Sequence, residues 1–243
     1  MKLSGNKILV TGGASGIGLG LTRRFVQAGN EVIICGRRES ALKEAAAEIP
    51  GLITGVADLS TAEGRIDLYE WVAKEHPDTN VLVNNAGIQQ WMAIEDEDFF
   101  ERAKVEIATN IEAPVHLTSL FVKLGSLDTI MNVTSGLSFA PLAQTPVYSG
   151  TKAFFHSFTL SLRYLLKPKG IEVIEIIPPA INTDLGGKGL HDFAPPVIDF
   201  IDAIFEQLRA GTLDLTFGLS EIAANAGPAE LENIFNTLNP PQT

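Results

Sequence analysis

Cysteine is all but missing from these 243 residues: Cys35 stands alone. An internal disulfide is excluded, and so is a metal or redox centre built from several thiols. Cys35 ends the apolar run Val32-Ile33-Ile34-Cys35, which marks it as a small core residue. Histidine is scarce as well. His76, His116, His156 and His191 show no metal-ligand spacing supported by a cysteine or an acid, so no metal is assigned. Basic residues are outnumbered, 18 Lys and Arg against 29 Asp and Glu, for a net charge of −11. A nucleic-acid surface needs clustered cations facing phosphates, and dispersed acids of this kind argue against such a partner. No apolar run approaches the roughly 18–20 residues of a membrane span, so no membrane partner is expected. The opening Met1-Lys2-Leu3-Ser4-Gly5-Asn6-Lys7 carries no secretory signal pattern, and a soluble, cytoplasmic protein is expected. No linker rich in Pro, Gly and Ser divides the chain, so residues 1–243 read as one domain.

What is present begins with a strand, a glycine turn and a helix in succession. The apolar run from Lys7 to Thr11 feeds Thr11-Gly12-Gly13-Ala14-Ser15-Gly16-Ile17-Gly18, and Leu19, Leu21, Phe25 and Val26 then recur at helical spacing. Gly12 and Gly16 let the chain turn tightly and a pyrophosphate approach the backbone, and Gly18 allows close packing of helix on strand. The helix N-terminus offers its N–H groups and positive dipole to phosphate, so the turn reads as a nucleotide site. A second strand, Glu31 to Cys35, ends in Gly36-Arg37-Arg38, roughly twenty residues on, where an adenosine ribose would lie. Two guanidinium groups there suit a 2′-phosphate, which favours NADP over NAD. Exposed arginines opening a helix that runs to Glu48 are the competing reading. A third strand reaches Ala57-Asp58-Leu59, and Asp58 is equally a cap for the following helix with Leu68, Trp71 and Val72.

A second focus runs from Thr134 to Lys152. The apolar run Ile130, Met131, Val133 reads as a buried strand delivering Ser135 at its end, and Pro146 sits where a helix starts. Tyr148 and Lys152 are four apart, which on a helix puts phenol and ammonium on one face about 5–6 Å apart at Cβ. The cation then favours phenolate and lowers an unperturbed pKa of about 10. By itself the spacing more often marks a surface aromatic beside a solvated lysine, and its context has to decide. Asn110 stands inside a helical pattern from about Asp96 to Leu124, where Asn is a poor helix former, and a bend is expected. His156 lies one turn beyond Lys152 and reads as a packed helix residue. Past Asp184 the chain is rich in glycine and proline, and a mobile lid is expected over about 184–200. Helix follows from about Val197 to Arg209, then a short strand near Leu213 to Phe217 and helical stretches around Glu221 and Glu230.

The Thr-Gly-x-x-x-Gly-x-Gly turn, the Asn84-Asn85-Ala86-Gly87 run after a buried strand, and Ser135 thirteen residues ahead of Tyr148 together resemble the short-chain dehydrogenase/reductase family. Segments 29–37, 81–89, 113–117, 133–137 and 172–175 look like its DltE-type branch. The resemblance implies a doubly wound α/β fold with a mostly parallel sheet of about seven strands, flanked by helices, and a homodimer or homotetramer. It implies Asn110, Ser135, Tyr148 and Lys152 as the catalytic set, with Tyr148 as acid/base and Asn110 anchoring a water that leads to Lys152. It places NADP, with NAD as the alternative, against Gly12, Ser15, Gly16, Ile17 and Gly18 at the turn and against Arg37, Arg38, Asp58 and Leu59 at the adenosine end. Asn85, Ala86, Gly87, Tyr148, Lys152, Pro178, Ile181 and Thr183 complete that cofactor surface. Pro179 departs from the glycine most members carry. The implied reaction interconverts a ketone and a secondary alcohol, and the cleft-facing segments 89–91, 137–139 and 185–193 hold no arginine, which favours small uncharged substrates. The rival from another class is a regulatory protein that binds NAD(P) without turnover.

Overall fold

Short aliphatic runs alternate with amphipathic stretches along the chain, and each run becomes a parallel strand because the helix after it carries the chain back across a sheet face. The structure, a computed structural model, describes residues 1–241; residues 242–243 of the expected domain lie outside them. The strands are β1 (Lys7–Thr11), β2 (Glu31–Gly36), β3 (Ile53–Val56), β4 (Val81–Asn84), β5 (Thr129–Val133), β6 (Glu172–Ile177) and β7 (Asp214–Thr216). They form one seven-stranded sheet in the order β3-β2-β1-β4-β5-β6-β7, and every neighbouring pair is parallel. The expected mostly parallel sheet is therefore wholly parallel among the described residues. The order reverses between β1 and β4, and a crevice opens at their carboxyl ends.

The helices are α1 (Gly16–Gln27), α2 (Glu39–Glu48), α3 (Ala62–Glu75), α4 (Phe99–Ile107), α5 (Ala113–Phe121), α6 (Pro146–Leu166), α7 (Val197–Arg209), α8 (Leu219–Asn225) and α9 (Pro228–Leu238). Alternate residues of each strand feed opposite faces: Ile8 and Val10 pack with Phe25, Phe200 and Phe205, whereas Leu9 packs with Leu68, Leu117 and Phe121. No helix of the described residues is long and apolar enough to cross a membrane.

Three local expectations change. The continuous helical pattern from Asp96 to Leu124 is divided into α4, a π-helical segment at Ala108–Glu112 and α5. Pro114 has no N–H to give the Asn110 carbonyl four residues back, so the α-helical ladder cannot close there and the wider turn takes its place. Asp58 is not the cap of α3: its carboxylate accepts from Ser60 N–H at 3.0 Å, and Thr61 caps the helix by accepting from Gly64 N–H at 3.1 Å. The irregular segment after β6 ends at Pro196, since Val197 opens α7 and Phe200 is wholly buried.

Candidate active site

The glycine turn is fastened from β4. Thr11 Oγ1 donates to Val83 O and accepts from the N–H groups of Asn85 and Ala86 at 2.9 and 3.0 Å. The Asn85 amide donates to Thr11 O at 2.8 Å and Gly12 O at 3.3 Å, so these residues shape the turn from behind. There is no room for side chains on it: a Cβ at Gly18 would lie 2.3 Å from Gly12 O, and one at Gly13 2.4 Å from Ile34 Cγ2. Gly12 and Gly16 take φ of +66° and +52°, where only glycine is unstrained. Ser15 makes no side-chain cap and no acid stands in the first turn of α1, so the positive helix end is left for an anion. Ile17 is half-buried in that turn.

Arg37 and Arg38 follow β2 on the surface. Hydrogen bonding from Ser60 holds the Asp58 carboxyl below the usual range, and the charge of Arg37 adds a smaller push the same way. Because Gly36 pairs with Val56, Arg37 and Asp58 leave neighbouring strands at one edge of the sheet. Leu59 beside it is buried. On the opposite side the chain leaving β6 arches over the turn: Pro178 and Ile181 are buried, and a Cβ at Gly16 would meet the Thr183 methyl at 3.4 Å. Pro178 O accepts from Gly136 N–H, which ties this wall to the end of β5, while Pro179 is half-buried.

Strand β5 is buried throughout and delivers Ser135, whose Oγ accepts from Leu137 N–H at 3.1 Å. Tyr148 and Lys152 lie on the buried face of α6, each 5% exposed, with Lys152 Nζ 5.6 Å from the phenol ring centroid. Lys152 donates to Val133 O at 2.8 Å. The expected lowering of the phenol pKa is reversed in the protein alone. Burial pushes Tyr148 well above its ordinary value, the Ser135 hydroxyl offsets part of that, and the charge of Glu106 adds to it. Burial also brings Lys152 down to about 8. Near neutral pH, Tyr148 is therefore a neutral hydroxyl, the form that donates a proton.

Asn110 accepts from Ile88 N–H at 2.9 Å and donates to Ile88 O at 2.9 Å and Thr151 Oγ1 at 3.2 Å. Gly87 fits between the elements: a Cβ there would lie 3.4 Å from Asn110 Oδ1 and 3.7 Å from Lys152 Nζ. Asn110, Gly87 and Lys152 thus converge beneath Tyr148. His156 is packed as read, its Nδ1 2.9 Å from Glu175 Oε1. The 184–196 segment leans on the wall after β4, since a Cβ at Gly186 would be 3.0 Å from Gln89 Oε1 and 3.2 Å from Trp91 Nε1. Two site residues were not singled out from the sequence, Thr11 and Glu106. Glu106 had a signal: it stands in register with Ala103 and Asn110 on the buried stripe of its helix, an unusual place for an acid.

The chain matches the short chain dehydrogenase family over residues 6–192. The uncharacterized oxidoreductase DltE of Bacillus subtilis (strain 168) is 40% identical over 250 residues, covering 98% of this chain and 98% of that one. Serine 3-dehydrogenase of Agrobacterium fabrum is 32% identical over 182 residues, 73% of this chain and 72% of its own. A short chain dehydrogenase from Burkholderia cenocepacia J2315, solved in complex with NADP, superposes with a TM-score of 0.85 at 23% identity, over 99% of this chain and 100% of that chain, a likeness of fold.

Proposed function

The chain belongs to the short-chain dehydrogenase/reductase family, DltE-type, and from that premise we propose that it is an NADP-dependent carbonyl reductase or alcohol dehydrogenase acting on small uncharged ketones and secondary alcohols, with NAD as the second choice. The observation that carries the reading is the burial of Ser135, Tyr148 and Lys152 together at the carboxyl end of β5, across the crevice from an uncapped, glycine-lined helix N-terminus. That N-terminus and the exposed Arg37 and Arg38 fit a dinucleotide carrying a 2′-phosphate. When bound, the nicotinamide supplies hydride to a carbonyl carbon or takes it from a carbinol.

The chain's own groups handle the oxygen and the proton. In reduction, Ser135 Oγ donates a hydrogen bond to the carbonyl oxygen, and the Tyr148 phenol gives that oxygen its proton. Lys152, held at Val133 O, keeps a positive charge beside the phenol as its proton leaves. Asn110 fixes Ile88 through its side-chain amide, which sets it to anchor a water on the path to Lys152. Oxidation runs the same proton backwards. The 184–196 segment closes over the bound pair and excludes water.

Loss of NADPH absorbance with a panel of aryl alkyl ketones and keto acids tests the reading. Neutral ketones should give the higher kcat/KM. Faster turnover of keto acids overturns the uncharged-substrate part, and cofactor binding with no turnover of any carbonyl favours the regulatory alternative.

A further inference from the structure

The helix that carries Asn110 grips the cleft wall at three successive turns. Arg102, Glu106 and Asn110 stand four residues apart along α4 and the π-helical segment, so their side chains share one face. Asn110 holds Ile88 by both its N–H and its carbonyl. Glu106 Oε1 accepts from Gln90 N–H at 2.8 Å. Arg102 donates to Gln90 Oε1 at 3.2 Å and to Trp91 O at 2.5 Å. Ile88, Gln90 and Trp91 are thereby pinned to one helix face.

Glu106 is the anomaly of the three. It is wholly buried, and its Oε2 has no hydrogen-bond partner. A carboxylate in that position loses its hydration for a single N–H, and burial raises its pKa to about 7 against the pull of Gln90 N–H and Arg102. It is also the carboxylate whose charge reaches the Tyr148 phenol and makes that proton harder to remove. Around it, Lys152 on α6 faces Tyr148, and Arg102 is turned to the wall and to Asp96 and Asp98. Glu112 pairs outward with Arg65, and residues 88–91 contain no titratable group.

We propose that Glu106 is a positioning residue for the reaction at Tyr148: its carboxyl holds the 88–91 wall through Gln90, and its ionisation, as pH rises, restrains the phenol from giving up its proton. This rests on the reading of Tyr148 as acid/base. Ionised Glu106 keeps Tyr148 supplied with the proton that reduction needs and displaces alcohol oxidation, which needs phenolate, to higher pH. Neutral Glu106 lifts that restraint.

The test is the pH profile of kcat for secondary-alcohol oxidation in wild type and Glu106→Gln. Glutamine keeps an oxygen for Gln90 N–H and removes the charge. The variant should oxidise the alcohol about threefold faster or more on the rising alkaline limb, a displacement of about half a pH unit or more. The two enzymes should coincide below about pH 6, where wild-type Glu106 is protonated and, like glutamine, carries no charge. KM for the alcohol should stay within about twofold, whereas Glu106→Ala, which also frees Gln90 N–H, should raise it. Superimposable profiles for wild type and Glu106→Gln overturn the proposal. Infrared titration of the wild-type protein reads the same group without turnover and without any variant: a protonated carboxyl band that disappears near pH 7 supports it, and loss of every such band below about pH 5.5 overturns it. If no alcohol is oxidised at all, the assignment of Tyr148 fails, and the infrared result still stands for Glu106.

Discussion

Tyr148 holds its proton tightly because it is well placed: the burial that excludes water from the site also disfavours phenolate. Its pairing with Lys152 could be read from a spacing of four, since helix geometry fixes which residues share a face. The direction of the shift could not, because burial is set by β5, the Asn85–Trp91 segment and α6 together, which no local pattern encodes. Glu106 showed in the sequence only as an acid on a buried helical stripe; its unpartnered oxygen and its nearness to Gln90 depend on the same packing. Tyr148→Phe removes the donor hydroxyl and little volume. It should lose at least about 10²-fold in kcat while NADPH affinity stays within about threefold, and turnover within threefold of wild type ends the assignment. Arg37 stands at the crevice edge next to Asp58, so Arg37→Asp replaces an attractive guanidinium with a second carboxylate beside the first. Binding of NADPH should weaken by more than about 2 kcal/mol, measured by fluorescence titration, with NADH much less affected. A wild type that already prefers NADH removes the premise.

Elements were legible where an apolar helical stretch followed a proline-rich break, as in α7, and illegible where a tertiary partner decided. Asn110 signalled a disturbance in its helix, but the π-helical turn also depends on Ile88 and Thr151 being within reach of its amide. Asp58 looked like a cap until Thr61, three residues on and nearer the helix, took the Gly64 N–H. The link between β5, β6 and α6 was not foreseen either. Glu175 on β6 is wholly buried, accepts from Thr134 Oγ1 at 2.6 Å and faces His156 of α6 at 2.9 Å, so it joins the residue before Ser135 to the helix of Tyr148. Glu175 raises the pKa of His156, partly against desolvation. A group whose folded pKa is raised contributes stability that is full below its unfolded value of about 6.5 and is lost as pH rises through the folded value. Urea midpoints should therefore fall from about pH 6 to about pH 9 in wild type, and His156→Gln should abolish that part of the slope. The variant should also be less stable at every pH, because it leaves Glu175 buried with its charge less well matched. An unchanged slope shows that the pair does not titrate as described.

At the scale of the whole molecule, the wholly parallel sheet brings the candidate loop residues to the carboxyl ends of β1 to β6, with Asn110, Tyr148 and Lys152 added from the helical segments beside them, and leaves the outer faces of the helices to solvent. Two of those faces are apolar. Phe154, Leu160, Tyr164 and Leu165 are exposed on α6, Tyr164 by 82%, and Phe100, Val105 and Ile107 are exposed on α4, which packs beside it. Apolar side chains concentrated on two neighbouring helices are more than a monomer of this charge needs, and they suit a self-complementary interface of two-fold symmetry. Each copy carries a net charge of −11, so association must overcome repulsion between like-charged partners. Added salt screens that repulsion without weakening apolar contact. The expected behaviour is a homodimer or homotetramer by light scattering at micromolar concentration, with dissociation favoured at low ionic strength. The double change Tyr164→Glu and Leu165→Glu places two more acids on the face and should yield monomer with its circular dichroism intact. A wild type that stays monomeric at high salt and high concentration refutes the assembly, and an oligomer untouched by the double change moves the interface to another face.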